Sequence, residues 1–274
     1  MALYERHWPA VSGRAVVVLV HGAAEHCGRY DHVAKHFNAA GFGVLGFDLP
    51  GLGQSPGRRG HVDSFEDYLQ AVDHVITRAA DLYPELPIVL YGHSMGGLIT
   101  VRWLQTRSGL HKQLLRGVIL TSPCLDLSMK VPSALHRVAV MLERVWPTMS
   151  QSSGIPAKHV SRDADVVAKY VTDPLMVPKV TVKWYMELYR NMEEARGNAV
   201  SFSIPTLILQ AGDDRIVSSA ATRDFAVSLV APDKEFHELP GLYHEVHNEP
   251  EREDVLNTMT AFLDRTLFAS QPAV

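Results

Sequence analysis

Apolar and polar residues are unevenly mixed along this chain. Arg14-Ala15-Val16-Val17-Val18-Leu19-Val20 is a short, continuous run dominated by β-branched residues. Gly43 to Asp48, Ile88 to Tyr91, Gly117 to Thr121 and Thr206 to Gln210 are similar. Such unbroken runs predict strands covered on both faces, as in a parallel sheet. Lys234 to Leu239 is more polar and predicts a strand near a sheet edge; Leu3 to Trp8 supplies one more. Four stretches carry helical spacing instead: Tyr30 to Ala40, Ser64 to Leu82, Met95 to Thr106 and Glu249 to Phe268. In the second, Phe65, Tyr68, Leu69, Val72, Val75 and Ile76 form one apolar face. Ser64 with Asp67 three residues on marks its start. Strands alternating with helices predict an α/β fold, a mostly parallel sheet of about seven strands flanked by helices with right-handed crossovers.

The alternation breaks between Asp126 and Asn198. This stretch has no convincing strand, carries Pro132, Pro147, Pro156, Pro174 and Pro178, and holds Trp146, Trp184, Tyr170, Tyr185 and Tyr189. Met129, Met141, Met149, Met176, Met186 and Met192 also fall in it, out of 9 methionines in all. Around Ala134 to Trp146 the apolar residues spread over more than one helical face. Adaptable Met-rich surface suits flexible apolar ligands. Residues 126–198 are therefore expected to form a helical cap, or lid, inserted into a core made of residues 1–125 and 199–274. Its exposed Met and Trp would touch a micelle or membrane surface transiently, without anchoring.

Composition narrows the function. The chain has 274 residues, 46% hydrophobic and 20% charged, with a formal net charge of −4. That apolar content excludes disorder. The charges are scattered and no basic stripe exists to hold phosphates, so nucleic acid is not an expected partner. Two cysteines, Cys27 and Cys124, make no disulfide framework and read as free thiols of a reducing compartment. No apolar run approaches the roughly 18 residues of a membrane span. Met1 to Gly13 has no signal-like apolar core, and a cytoplasmic location is expected.

Gly92-His93-Ser94-Met95-Gly96-Gly97 follows a predicted strand and opens a predicted helix. This is G-x-S-x-G in the strand–turn–helix setting its mechanism requires, with Ser94 lifted onto a tight turn at a helix N-terminus. A serine hydroxyl needs a base, and the base an orienting acid. Behind such an elbow they follow in the chain order Ser, Asp, His. Asp213 and Asp214 both lie just past the strand ending at Gln210, and His244 lies just past the strand ending at Leu239. Strand carboxyl ends share one edge of a parallel sheet, which brings these groups toward Ser94. His237 falls inside its strand; His247, three residues on, competes with His244. An oxyanion hole is expected from two backbone N–H groups, that of Met95 and that of Ala23 in the loop after Val20. His244-Glu245-Val246-His247 lacks the spacing of a helical zinc motif, and no metal or other cofactor is expected.

These pieces resemble the monoacylglycerol lipase family of α/β-hydrolases. The resemblance rests on His21-Gly22-Ala23-Ala24-Glu25-His26-Cys27-Gly28-Arg29-Tyr30, Asp48-Leu49-Pro50-Gly51-Leu52-Gly53-Gln54-Ser55, Gly92 to Gly97, Asp214-Arg215 and Tyr243-His244, in family order. It implies the α/β-hydrolase fold, an apolar cap over residues 126–198, and hydrolysis of the single acyl ester of a monoglyceride by Ser94, Asp214 and His244. It selects Asp214 over Asp213, since the family's acid directly precedes the arginine. It also implies that Glu25, Arg29 and His247 stand near the pocket for the glycerol part. Leu49 and Leu52 depart from the family, which often has histidine there. A lysophospholipase or a broad carboxylesterase shares the chemistry; a non-catalytic lipid binder on the same scaffold typically loses a triad member, and none is missing here.

Overall fold

Every residue of β2 (Ala15–Val20), β3 (Phe42–Phe47), β4 (Ile88–His93) and β8 (Thr206–Ala211) is buried. The cause is a sheet covered on both sides. Ala15, Val17 and Leu19 point to one face, where Val33 and Phe37 of α1 (Asp31–Ala39) and Leu256 and Phe262 of α8 (Arg252–Phe268) pack. Val16, Val18 and Val20 point to the other, against Val72 and Val75 of α2 (Phe65–Leu82) and Leu98 and Trp103 of α3 (Met95–Thr106). A computed structural model describes residues 2–10, 13–107, 113–129, 131–197 and 204–268. Lys130 and Asn198 of the expected cap, and residues 199–203 of the expected core, lie outside the described residues.

With β1 (Glu5–Trp8), β5 (Leu115–Thr121) and β9 (Lys234–Leu239), the strands form a seven-stranded sheet in the order β1-β3-β2-β4-β5-β8-β9. Only β1 pairs antiparallel; β3, β2, β4, β5, β8 and β9 pair parallel. The polar strand Lys234 to Leu239 is indeed an edge. Register places Val20 opposite Gly92 and Ala211 opposite Leu239, so the loops after β2, β4, β8 and β9 leave one edge together. Asp67 Oδ2 accepts from the Ser64 N–H and Ser64 Oγ from the Glu66 N–H, closing the capping box at the start of α2. Such a cap contributes on the order of 1 kcal/mol.

Between β5 and β8 the chain forms α4 (Ser133–Val145), β6 (Ser150–Ser152), α5 (Ala164–Thr172), β7 (Lys179–Thr181) and α6 (Val182–Gly197). The expectation of no strand here is corrected by the antiparallel β6–β7 pair, Ser150 opposite Thr181 and Ser152 opposite Lys179. Three residues a side give no alternation long enough to recognise. Trp184, Leu188 and Met192 of α6 join the core beneath, and Trp184 Nε1 donates to the Tyr68 hydroxyl at 3.1 Å. α4 is the opposite case. Met141, Val145 and the adjoining Trp146 are 69%, 78% and 59% exposed. A further helix, α7 (Ser219–Ser228), short and rich in Ala and Ser, has no strong apolar period and is not foreseen from the sequence. Among the described residues, no helix is long and apolar enough to cross a membrane.

Candidate active site

Ser94 is forced into an unusual backbone. Its φ of 52° and ψ of −117° put a non-glycine residue in a sparsely populated region, strain that persists only where the surroundings over-determine it. The surroundings are visible in two glycines. A Cβ on Gly92 would lie 2.5 Å from the Gly96 carbonyl oxygen, and one on Gly96 would lie 2.0 Å from the Val20 carbonyl oxygen. The elbow is thus wedged against the backbone at the end of β2. It is held by the Ser94 N–H to Thr121 O (3.0 Å) and by the Cys124 N–H to Ser94 O (2.9 Å).

His244 comes to this hydroxyl from the loop after β9. Its Nε2 lies 2.9 Å from Ser94 Oγ and its Nδ1 lies 2.8 Å from Asp214 Oδ2. The other Asp214 oxygen accepts the Ile216 and Val217 N–H groups at 2.9 and 3.0 Å. The Asp214 side chain is fully buried, whereas Asp213 is exposed. His237 is exposed on β9. Burial alone pushes the His244 imidazole down, but the Asp214 carboxylate outweighs it, with Glu245 and Glu25 adding, and carries it above the ordinary 6.5. Burial would raise Asp214, and the His244 charge and hydrogen bonds hold it below the carboxylate range. His93, beside Ser94, is pushed down to about 4 by burial and by His244, and so stays neutral. This is the relay that turns an alcohol into a nucleophile: a neutral imidazole on the hydroxyl, oriented by a carboxylate.

Two N–H donors are needed for the oxyanion. Met95 is the first residue of α3, where the N–H has no partner within the helix. Ala23 lines the same cavity as Ser94, in a loop braced from behind by Glu25, whose Oε1 accepts the Gly22 N–H at 2.5 Å. The cavity in front of Ser94 measures about 10 Å³, room for roughly one water. Ile155, Val160 and Tyr170, from the insertion between β5 and β8, line it on one side.

The residues expected around the glycerol part divide. Glu25 is on the cavity wall, with Glu245 beside it. Arg29 stands behind both, ion-paired to each. His247 is not brought to the wall: its ring, 0% exposed, lies behind His93 at 4.7 Å and stacks on Tyr30 at 4.8 Å. Glu245 is the site residue that sequence reasoning missed. Its only signal is adjacency to His244, because its partner Arg29 lies 216 positions away. Among the described residues, no group of three or more His, Cys, Asp or Glu could hold a metal ion.

Comparison with known proteins places this arrangement. Residues 12–251 match the family described as Serine aminopeptidase, S33. A phospholipase of Bacillus subtilis, YtpA, is 38% identical over 259 residues, covering 94% of this chain and 98% of that one. A monoacylglycerol lipase of Mycolicibacterium smegmatis is 33% identical, covering 95% and 92%. The crystal structure of a monoacylglycerol lipase from Paleococcus ferrophilus superposes with a TM-score of 0.86 at 36% identity, covering 96% of this chain and 98% of that one.

Proposed function

The chain belongs to the S33 serine hydrolase family on the α/β-hydrolase fold and is a carboxylic ester hydrolase akin to its monoacylglycerol lipases; from that premise we propose that it cleaves monoacylglycerol to fatty acid and glycerol. The observation that carries the chemistry is the unbroken contact from Asp214 through His244 to Ser94. Ser94 attacks the ester carbonyl as His244 takes its proton. Asp214 keeps the imidazole in one tautomer and stabilises the imidazolium. The Met95 and Ala23 N–H groups receive the oxyanion. His244 then protonates the departing alcohol and activates the water that frees the acid.

Residues 126–198 act in this reading as the cap. Its Ile155, Val160 and Tyr170 line the site, and the exposed Leu135, Val138, Met141, Val145 and Trp146 on and beside α4 meet the lipid aggregate that presents the substrate. A second reading, a lysophospholipase, is favoured by the relative named a phospholipase. It is also favoured by a cavity of about 600 Å³ between α5 and the core, which Lys169 and Arg252 line. Hydrolysis of monoolein beside lysophosphatidylglycerol of the same acyl chain, with fluorophosphonate labelling of the protein and of Ser94→Ala, tests both. Turnover of monoolein with labelling lost in the variant supports the proposal; labelling without turnover of monoolein overturns it.

A further inference from the structure

Arg29 stands behind Glu25 and Glu245 at the catalytic cavity, and both of its terminal nitrogens are bonded to them. Its Nη1 donates to Glu25 and, at 2.7 Å, to Glu245 Oε1, and its Nη2 donates to Glu245 Oε2 at 2.7 Å. The Tyr170 ring covers the guanidinium at 5.1 Å. The side chains of Arg29, Glu25 and Glu245 are 10%, 3% and 4% exposed. The remaining carboxylate bonds are also taken: Glu25 accepts from the Gly22 N–H and the Tyr30 hydroxyl, and Glu245 from the Asn248 amide.

Two carboxylates against one guanidinium leave one net negative charge. Glu25 and Glu245, and not Arg29, line the cavity shared with Ser94. The neighbouring His93 and His247 are both driven to the neutral form by burial and add no compensating cation. Lys169 and Arg252 line the cavity on the far side of Arg29. A phosphate brought to this wall would meet like charge in a low-dielectric site, where such juxtaposition is strongly unfavourable. A guanidinium freed from one carboxylate would do the reverse, since its planar fork matches phosphate.

We propose that Glu245 is a specificity-determining residue: by clamping Arg29 against Glu25 it makes the alcohol end of the pocket net negative, so that esters of uncharged alcohols are taken and those whose alcohol bears a phosphate are refused. This rests on the proposed function, in that the alcohol part of the ester is seated against Glu25 and Glu245.

The test compares 1-butyrylglycerol with 1-butyrylglycerol 3-phosphate, which share one ester and differ in charge. The expected preference of the unaltered protein in kcat/KM is about 100-fold for the uncharged ester. Glu245→Gln and Glu25→Gln each bring the three-residue charge to zero and should each cut that preference about tenfold or more. Fluorophosphonate labelling and thermal melting identify the variants that remain folded. A preference below about threefold in the unaltered protein, or one unmoved in a variant that still labels, overturns the inference. If neither glycerol ester is turned over while p-nitrophenyl butyrate is, the proposed function falls instead. The wall is then read by inhibition. Stronger inhibition of Glu245→Gln than of the unaltered protein by glycerol 3-phosphate supports the inference, and equal inhibition overturns it.

Discussion

One imidazole touching a serine on one nitrogen and a buried carboxylate on the other makes the residue scale decisive. Ser94→Ala removes the attacking atom and should lower kcat for p-nitrophenyl butyrate by roughly 10⁴-fold or more, measured by release of nitrophenol. Asp214→Asn keeps the shape but favours the wrong tautomer, and a loss of about 10⁴-fold is expected. The pH dependence has a definite sign. His244 must be neutral to accept the proton, and Asp214, Glu245 and Glu25 together raise its pKa above 6.5 against the effect of burial. Activity is therefore full above that raised value and falls as pH drops through it. The acidic limb of kcat/KM should have its midpoint above 6.5; a midpoint below it would mean that burial outweighs the acids. Ser94 and His244 are legible in the sequence because each stands just past a strand end. Asp213 and Asp214 both stand there too; position alone leaves them equal, the family resemblance selects Asp214, and the fold supplies the reason, Asp213 exposed and Asp214 buried. Glu245 is missed, and His247 is expected at the pocket but stands behind it, for another reason: what each faces depends on Arg29, Tyr30 and His93, which are distant in the chain.

Among the elements, the strand–elbow–helix unit and α4 behave in opposite ways. The elbow tolerates no side chain at Gly96, where an added Cβ would stand 2.0 Å from the Val20 carbonyl oxygen. Gly96→Ala should cost about 3 kcal/mol or more, read by urea unfolding, with Ser94 displaced and labelling lost. α4 is expected to tolerate change. Replacing Met141 and Trp146 by Ser leaves the core intact, since both are exposed. If this face meets lipid, the double variant should bind phosphatidylcholine vesicles at least about tenfold more weakly, as each buried apolar side chain contributes about 1.5–3 kcal/mol. Turnover of dispersed p-nitrophenyl acetate should be unchanged; equal vesicle binding would assign this face another role. The core strands were readable because burial on both faces leaves unbroken apolar runs. β6 and β7 were not, because Ser150-Gln151-Ser152 carries no pattern and pairs with residues far along the chain.

At the scale of the whole molecule, the insertion between β5 and β8 is stitched to the sheet unit on several sides of the site. Val177 N–H donates to Ala24 O, Glu245 N–H to Val160 O, and Ser161 Oγ to Asn248 O. His26 meets Asp173 at 2.9 Å, and Arg162 meets the buried Glu249 at 2.5 Å. Several of these ties join the loops that carry Ala23 and His244, so an acyl chain that displaces the insertion pulls on catalytic backbone. A phosphonate adduct of Ser94 with a long alkyl tail should accordingly raise amide exchange over residues 155–177 more than a methyl phosphonate adduct does. Equal exchange in the two adducts would place the path for the tail elsewhere.

The cramped space before Ser94 also has a temporal meaning. Even a reagent of a few heavy atoms fills this space, so its encounter with the serine should be timed by movement of the wall rather than by its own reactivity. Progressive inactivation by a small phosphonyl fluoride should quicken with dose and then level off. Reagents of very different intrinsic reactivity would share that ceiling, and its height is the opening frequency of the resting enzyme.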